Sequence, residues 1–274
     1  MKPIEHISNL YYTIRKYISE LKVKNARYID VRFPRHTFKV KETWFWSIFE
    51  NGWEEDTFKI FEHLISPHTT YVDFGAYIGP TALMAASYGC QHMYCVEASP
   101  ANYYFLKKNL EKNKSEMPPY KVDNVCLYNK SGDSVGFNGG FLSTANAISH
   151  GNHRWLVNTV TIEDYFNSHN IPTSNVFTKI DIEGAEGPII EQFVELAKKL
   201  TQSHVFLSIH PPFIDDIYSF AEKCEMLYMI GDIYNSKMKS LKQETLKEMI
   251  LSKEQYPSWG TEHGNFFEIL IKIK

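Results

Sequence analysis

The sequence predicts a doubly wound α/β fold. Three short apolar runs carry that prediction, each ending in an acid and followed by a turn and a helix: 71–73, 93–97 and 176–181. Buried parallel strands read as such runs, and helices between them cover both sheet faces. In the first, Tyr71-Val72-Asp73 leads into Phe74-Gly75-Ala76-Tyr77-Ile78-Gly79 and a helix opening at Pro80. Gly75 and Gly79 let backbone approach a ligand where a Cβ would collide. Proline suits the first helical position because its missing N–H has no partner there. A dinucleotide fingerprint would place Gly-x-Gly-x-x-Gly here. An aspartate takes the place of its first glycine, and a carboxylate at a tight turn repels a pyrophosphate. It suits a cationic ligand, and S-adenosylmethionine (SAM) carries an ammonium and a sulfonium.

The second run, Met93-Tyr94-Cys95-Val96-Glu97, ends in an acid placed to accept hydrogen bonds from a ribose diol. Ser99-Pro100 is read as the cap and start of a helix with Tyr103, Leu106 and Leu110 at helical spacing. The third run is Val176-Phe177-Thr178-Lys179-Ile180-Asp181-Ile182-Glu183-Gly184-Ala185-Glu186. Alternation puts Lys179 and Asp181 on one face. A lysine inside a central strand is costly without a carboxylate, and Asp73 and Glu186 are the expected partners. Ile189, Ile190, Phe193, Leu196, Ala197 and Leu200 then predict a helix.

These segments, together with Ser208-Ile209-His210-Pro211-Pro212-Phe213 and the upstream Phe45-Trp46-Ser47-Ile48-Phe49-Glu50-Asn51-Gly52-Trp53-Glu54, resemble the FkbM-type SAM-dependent methyltransferases over residues 40 to 215. The resemblance implies a Rossmann-like seven-stranded sheet in the order 3-2-1-4-5-7-6, mostly parallel with an antiparallel last strand. It implies SAM contacts from Asp73, Gly75, Ala76, Tyr77, Gly79, Glu97, Ala98 and Asp181, and an active site near Asp181. Members mostly methylate hydroxyls of sugars, glycans or macrolide-like natural products. One departure is Glu97-Ala98, where the family has Glu-Pro; the ribose-binding acid is kept.

Sulfonium methyl transfer needs alignment and loss of the hydroxyl proton. Asp181 is expected to orient SAM and acceptor, and His210 to take the proton, with Lys179 as electrostatic support and Glu183 as a further base. A divalent ion on Asp181, Glu183 and His210 is allowed by ligand type but not demanded by spacing, so it is possible but not favoured. Two rival readings are a nicotinamide-dependent oxidoreductase and a non-catalytic SAM- or glycan-binding subunit. Asp73 and the 179–186 motif oppose the first; the intact acids at 73, 97 and 181 oppose the second.

At 274 residues the chain holds one such domain with additions. We assign residues 1–62 to a helical and aromatic extension and 63–274 to the SAM-binding domain, with a helical insertion at about 231–264. Residues 1–24 repeat apolar side chains at helical spacing, suited to packing on the core, a homodimer contact or a lid. Trp44–Trp53 could stack on sugar rings, but an aromatic cluster of this kind reads first as core. The segment 124–128 reads as a strand, 130–137 as a glycine-bearing hairpin, 138–156 as a polar acceptor-binding loop and 161–166 as a capped helix. Ser203–Ile209 reads as a strand, and 227–230 with 266–273 as a closing strand pair. Nothing approaches eighteen consecutive apolar residues, no signal pattern opens the chain, and the four cysteines lack metal spacing. A soluble cytoplasmic protein with free thiols is expected. A net charge of −3 gives no support to sequence-independent nucleic-acid binding; a carbohydrate or small-molecule acceptor is what the resemblance implies.

Overall fold

The structure, a computed structural model, describes residues 14, 17–138, 147–148, 155–183, 185–252 and 266–274. Residues 17–25 form a helix, α1, followed by β1 (Tyr28–Arg32) and β2 (Thr37–Lys41), then α2 (Trp44–Glu50) and α3 (Glu55–Leu64). The doubly wound unit begins with β3 (Thr70–Phe74), α4 (Pro80–Tyr88), β4 (His92–Val96), α5 (Pro100–Lys112) and β5 (Tyr120–Asp123). After β6 (Cys126–Leu127), β7 (Ser134–Asn138), β8 (Ala147–Ile148) and β9 (Trp155–Val160) come α6 (Ile162–Ser168) and β10 (Val176–Ile180). The chain closes with α7 (Glu186–Ala197), β11 (His204–Ile209), α8 (Ile217–Cys224), α9 (Leu227–Ile230), β12 (Gly231–Asn235), α10 (Gln243–Leu251) and β13 (Phe267–Ile273).

Seven strands make one sheet in the order β12-β13-β11-β10-β3-β4-β5, the order the family resemblance implied, with β13 antiparallel to both neighbours. Period-two alternation sorts its two faces. Val72, Phe74, Ile180 and Leu207 lie in one core with α6 to α8, while Tyr71, Met93, Cys95, Phe177 and Phe206 lie in the other. Every residue of α4 is buried, because the 17–64 segment covers the side that the sheet does not. Each large apolar side chain so buried contributes about 1.5–3 kcal/mol.

That covering layer is tied to the central unit by side-chain amides. Lys41 N donates to Asn109 Oδ1 at 2.7 Å and Lys39 N to Asn113 Oδ1 at 2.9 Å. Asn109 Nδ2 reaches the carbonyl of Ile78 at 2.9 Å, so α5 joins the edge of β2 to the loop after β3. Phe45, Trp46 and Phe49 are buried, as a core reading of the aromatic stretch expects. Trp44 is the exception, half exposed.

Several expectations need correction. The apolar run Leu227–Ile230 is a short helix and the strand follows it at Gly231–Asn235, since a four-residue apolar run satisfies either period. Residues 28–41 form an antiparallel hairpin inside the extension read as helical. The segment around Gly132 turns between strands that do not pair with each other: β6 pairs with β9 in parallel, and β7 with β9 antiparallel. Ile14 and, on the first helix, Tyr17, Ile18 and Leu21 are exposed, and Val23 supplies the buried contact. Ser99 precedes α5, but its hydroxyl makes no capping bond; Thr161 does cap α6, accepting from Asp164 N at 3.1 Å. Most of the polar segment 138–156 lies outside the described residues. No described helix is long and apolar enough to cross a membrane, and all four cysteines are free and buried.

The packing predicts a contrast between two glycines of the same conformation. Gly75 (φ +88°) and Gly89 (φ +86°) both occupy the left-handed region, but a Cβ at Gly75 would stand 1.7 Å from the carbonyl oxygen of Asp181, whereas at Gly89 it meets nothing within 4 Å. Gly89→Ala should therefore cost only the backbone term, about 1–2 kcal/mol. Gly75→Ala should cost at least twice as much in urea unfolding, because the β3 and β10 ends must separate.

Candidate active site

The carboxyl ends of β3, β4, β10 and β11 converge at the point where the sheet reverses its winding, where open α/β sheets bind ligands. The loop after β3 is held closed by its own backbone. Gly75 N and Ala76 N both donate to the carbonyl of Val96 at 2.9 Å, and Asp181 N donates to that of Phe74 at 2.8 Å. Positive φ at Gly75, Tyr77 and Gly79 curls the loop toward α4, and the buried Phe45 ring packs edge-on against Tyr77 at 5.2 Å.

Glu97 ends β4 and is 5 % exposed. Its carboxylate accepts from Tyr77 N at 2.9 Å and Ser99 N at 2.7 Å. Burial pushes its pKa up to about 8 against those two donors. Asp73 lies beneath the loop with no exposed surface. One oxygen accepts from Thr81 Oγ1 at 2.7 Å, while Oδ1 is buried with the Tyr71 hydroxyl beside it and no hydrogen bond of normal geometry. A buried, unsatisfied carboxylate oxygen is costly unless a ligand or proton meets it.

Lys179 pairs in register with Asp73 across β10 and β3, on the same sheet face. Its Nζ donates to Asp181 Oδ2 at 2.6 Å, with the lysine side chain 3 % exposed. The expected partners Asp73 and Glu186 give way to Asp181 because Asp181 continues the strand two residues on, on the lysine's own side. Burial would lower the lysine's pKa, but Asp181, Glu54, Asp73 and Glu268 hold it above the ordinary value. Burial would likewise raise Asp181, but Lys179 and His210 hold it below the usual carboxylate range.

Two further acids approach from outside the expected motifs. Thr57 Oγ1 donates to Glu54 at 3.1 Å and lies 3.4 Å from Glu268. Burial raises Glu54 to about 7 and Glu268 well above the ordinary value, with Lys179 opposing both. Glu54 stands at φ +44°, an uncommon conformation for a side-chain-bearing residue. Sequence reading missed this pair because Glu268 lies in the closing strand and Glu54 at the start of α3, far from the motif they serve.

His210, directly after β11, meets the motif from the other side. It is buried, and its Nδ1–H donates to Glu186 Oε1 at 2.5 Å; Glu186 has no exposed surface. Nε2 is directed at Asp181 Oδ1, 3.5 Å away, and Glu183 Oε1, 3.9 Å away. Burial would lower the imidazole pKa, but Glu186, Asp181 and Glu183 together raise it to about 9. Burial pushes Glu183 up to about 8. The structure thus brings Lys179, Asp181, Glu183 and His210 together as expected, and adds Glu186 as the residue that orients the imidazole. A cavity of about 330 Å³ opens beside Glu183, lined by Tyr128, Asn129, Pro188, Phe213 and Asp216 among others.

A family model for the methyltransferase FkbM domain matches residues 73–228, from the first acid of the crevice to α9. The chain belongs to this family. No curated protein matches the sequence of this FkbM-domain methyltransferase at a significant level. Among solved structures it is similar to a SAM-dependent methyltransferase from Agrobacterium tumefaciens, at 11% identity and TM-score 0.48, covering 90% of this chain and 71% of that one. It is also similar to the 16S rRNA N2 G1207 methyltransferase of T. thermophilus in complex with AdoMet and guanosine, at 13% identity and TM-score 0.41. That second likeness covers 90% of this chain and 50% of the other. The strand order, rather than these superpositions, establishes the fold of the FkbM-domain chain.

The charge balance predicts what Lys179 is worth. Lys179→Met would leave Asp181 and its acidic neighbours without their buried cation, and removing one partner of a buried pair costs about 3–5 kcal/mol. Urea denaturation should register that loss, and the double variant Lys179→Met, Asp181→Asn should recover part of it.

Proposed function

We propose that this FkbM-domain methyltransferase transfers the SAM methyl group to a hydroxyl of a sugar, glycan or comparable small acceptor. One observation carries the reading: Asp181, Glu183 and His210 gather at the ends of β10 and β11, one strand away from the Asp73–Glu97 crevice. The crevice fits SAM on charge. Asp73, Glu97, Asp181, Glu183 and Glu186 face Lys179 and His210. Asp73, Glu97 and the 75–79 loop would hold SAM, and Asp181 would lie between it and the acceptor. SAM supplies a sulfonium methyl already activated for displacement.

The protein's part is placement and removal of one proton. Glu97, pinned by two backbone N–H groups, presents remaining lone pairs to a ribose diol. Glu186 fixes the His210 ring so that Nε2 faces the Asp181 and Glu183 oxygens, where an acceptor hydroxyl would be oriented and deprotonated. Lys179 keeps Asp181 ionised and in place. The cavity beside Glu183 gives a small acceptor its approach, and it lies at the low end of the range for small-molecule sites, about 300–1,000 Å³. An acid-rich crevice in a chain of net charge −3 favours a neutral acceptor over a polyanion such as RNA.

The test pairs calorimetry of SAM binding with S-adenosylhomocysteine release over a panel of saccharides and small polyols. His210→Ala should lower turnover about 100- to 10,000-fold with SAM affinity nearly unchanged, while Glu97→Ala should weaken SAM binding. Turnover retained by His210→Ala would remove the cluster from the reaction. Binding of SAM without turnover on any hydroxyl acceptor would overturn the O-methyl reading.

A further inference from the structure

We infer that Asp181, Glu183 and His210 form a divalent-cation site at the acceptor end of the crevice. The inference rests on the methyl-transfer reading for its purpose, but its geometry stands alone. The three residues can each turn one ligand atom into a common space, all within 4.8 Å of one another. The contacts from His210 Nε2, at 3.5 and 3.9 Å, are too long for hydrogen bonds, which run at about 2.7–3.2 Å. The 3.5 Å contact has the length of an edge between two ligands of one ion, and the 3.9 Å contact is somewhat longer. With ion–ligand bonds of about 2.0–2.2 Å, neighbouring ligands stand roughly 3.0 Å apart at right angles and roughly 3.4 Å at the tetrahedral angle. The observed edges close onto a cation with side-chain movements of less than about 1 Å on that same geometry.

Each ligand is also held by something else, as metal ligands are. His210 donates Nδ1–H to the fully buried Glu186, so the proton a binding cation displaces is the one on Nε2; carboxylate–imidazole pairs of this kind orient metal-bound histidines. Asp181 gives Oδ2 to Lys179 and keeps Oδ1 for the site. Glu183 reaches the cluster from a left-handed conformation, φ +52°, a strain that a side-chain-bearing residue keeps where the surroundings demand it. Two ligands follow the end of β10 and the third follows β11, so rigid strands set the spacing. One imidazole and two carboxylates suit Mn²⁺ or Mg²⁺ better than the soft, thiolate-seeking ions. Three protein ligands leave coordination positions for water and for the acceptor hydroxyl beside the 330 Å³ cavity.

The cation would sharpen the role of His210 from direct proton acceptor to ligand. An acceptor oxygen bound to it is acidified. The O–H proton leaves to solvent, the oxygen's electron pair forms the new O–CH3 bond, and the S–CH3 bond breaks to leave neutral S-adenosylhomocysteine.

Mn²⁺ is the probe, titrated into the EDTA-treated, dialysed full chain and followed by calorimetry and by loss of the free-ion EPR signal. One equivalent should bind saturably. Asp181→Asn and Glu183→Gln should each weaken binding at least tenfold, and Glu186→Gln, acting through the imidazole, about 10- to 100-fold. Asp232→Asn, on the outer strand β12, should leave it unchanged. Circular dichroism melting separates lost binding from lost folding, and the isosteric Glu183→Gln is the variant least able to unfold the chain. Absence of saturable Mn²⁺ binding at millimolar concentration, or binding indifferent to Glu183→Gln, overturns the site. SAM titrated separately keeps the two readings apart. SAM bound without Mn²⁺ sinks only the cation site, whereas Mn²⁺ bound without SAM supports it and sinks methyl transfer.

Discussion

A buried lysine surrounded by too many acids sets the character of this molecule. Lys179 is placed by the β10 register beside Asp73 and satisfied by Asp181, while Glu54 and Glu268 lean on it from the covering layer and the last strand. One ammonium cannot neutralise four carboxylates, and a charge at 4 Å in a protein interior interacts with about 4 kcal/mol at an effective dielectric of 20. Two responses are open to the protein: carboxylates take up protons, as the raised Glu54 and Glu268 indicate, or a cationic ligand completes the balance. The same excess recurs around His210, where three carboxylates share one imidazole. A positive methyl donor in one half of the crevice and the divalent cation inferred for the other would answer the same electrostatic demand.

The fold explains why these groups meet. A switch of winding direction between β3 and β10 opens a crevice at their carboxyl ends, and the pleat places residues 73 and 179 on one face. The close approach of Gly75 to the Asp181 carbonyl locks the cofactor loop to the reactive strand. The covering layer then does more than bury α4. Through Asn109 it holds the Ile78 carbonyl, through Phe45 it backs Tyr77, and through Glu54 it adds charge to Lys179.

Much of this was legible in the sequence because it is written in local patterns. Apolar run, acid, turn and helix occur together within a dozen residues at positions 71–81, and Lys179 to Glu186 is one continuous stretch. The family resemblance that these motifs carry implied the strand order, and the cluster of 179, 181, 183 and 210 followed. What escaped depends on contacts between distant segments. Glu54 and Glu268 are 214 positions apart by their numbering and share Thr57 only once β13 inserts beside β11. The partner of Glu186 could not be read because a helix-opening glutamate and a ligand-orienting one look alike until His210 is placed. The run at 227–230 failed for another reason: four apolar residues fit a turn of helix as well as a strand, and Gly231 decided which began where.

The claim that unites the account is that the crevice is built for positive charge. Its most direct test is calorimetric titration of the same preparation with SAM and, separately, with NADH, whose pyrophosphate would have to enter the acid-lined loop. The account predicts saturable binding of SAM and none of NADH. Saturable NADH binding that SAM does not displace would contradict it.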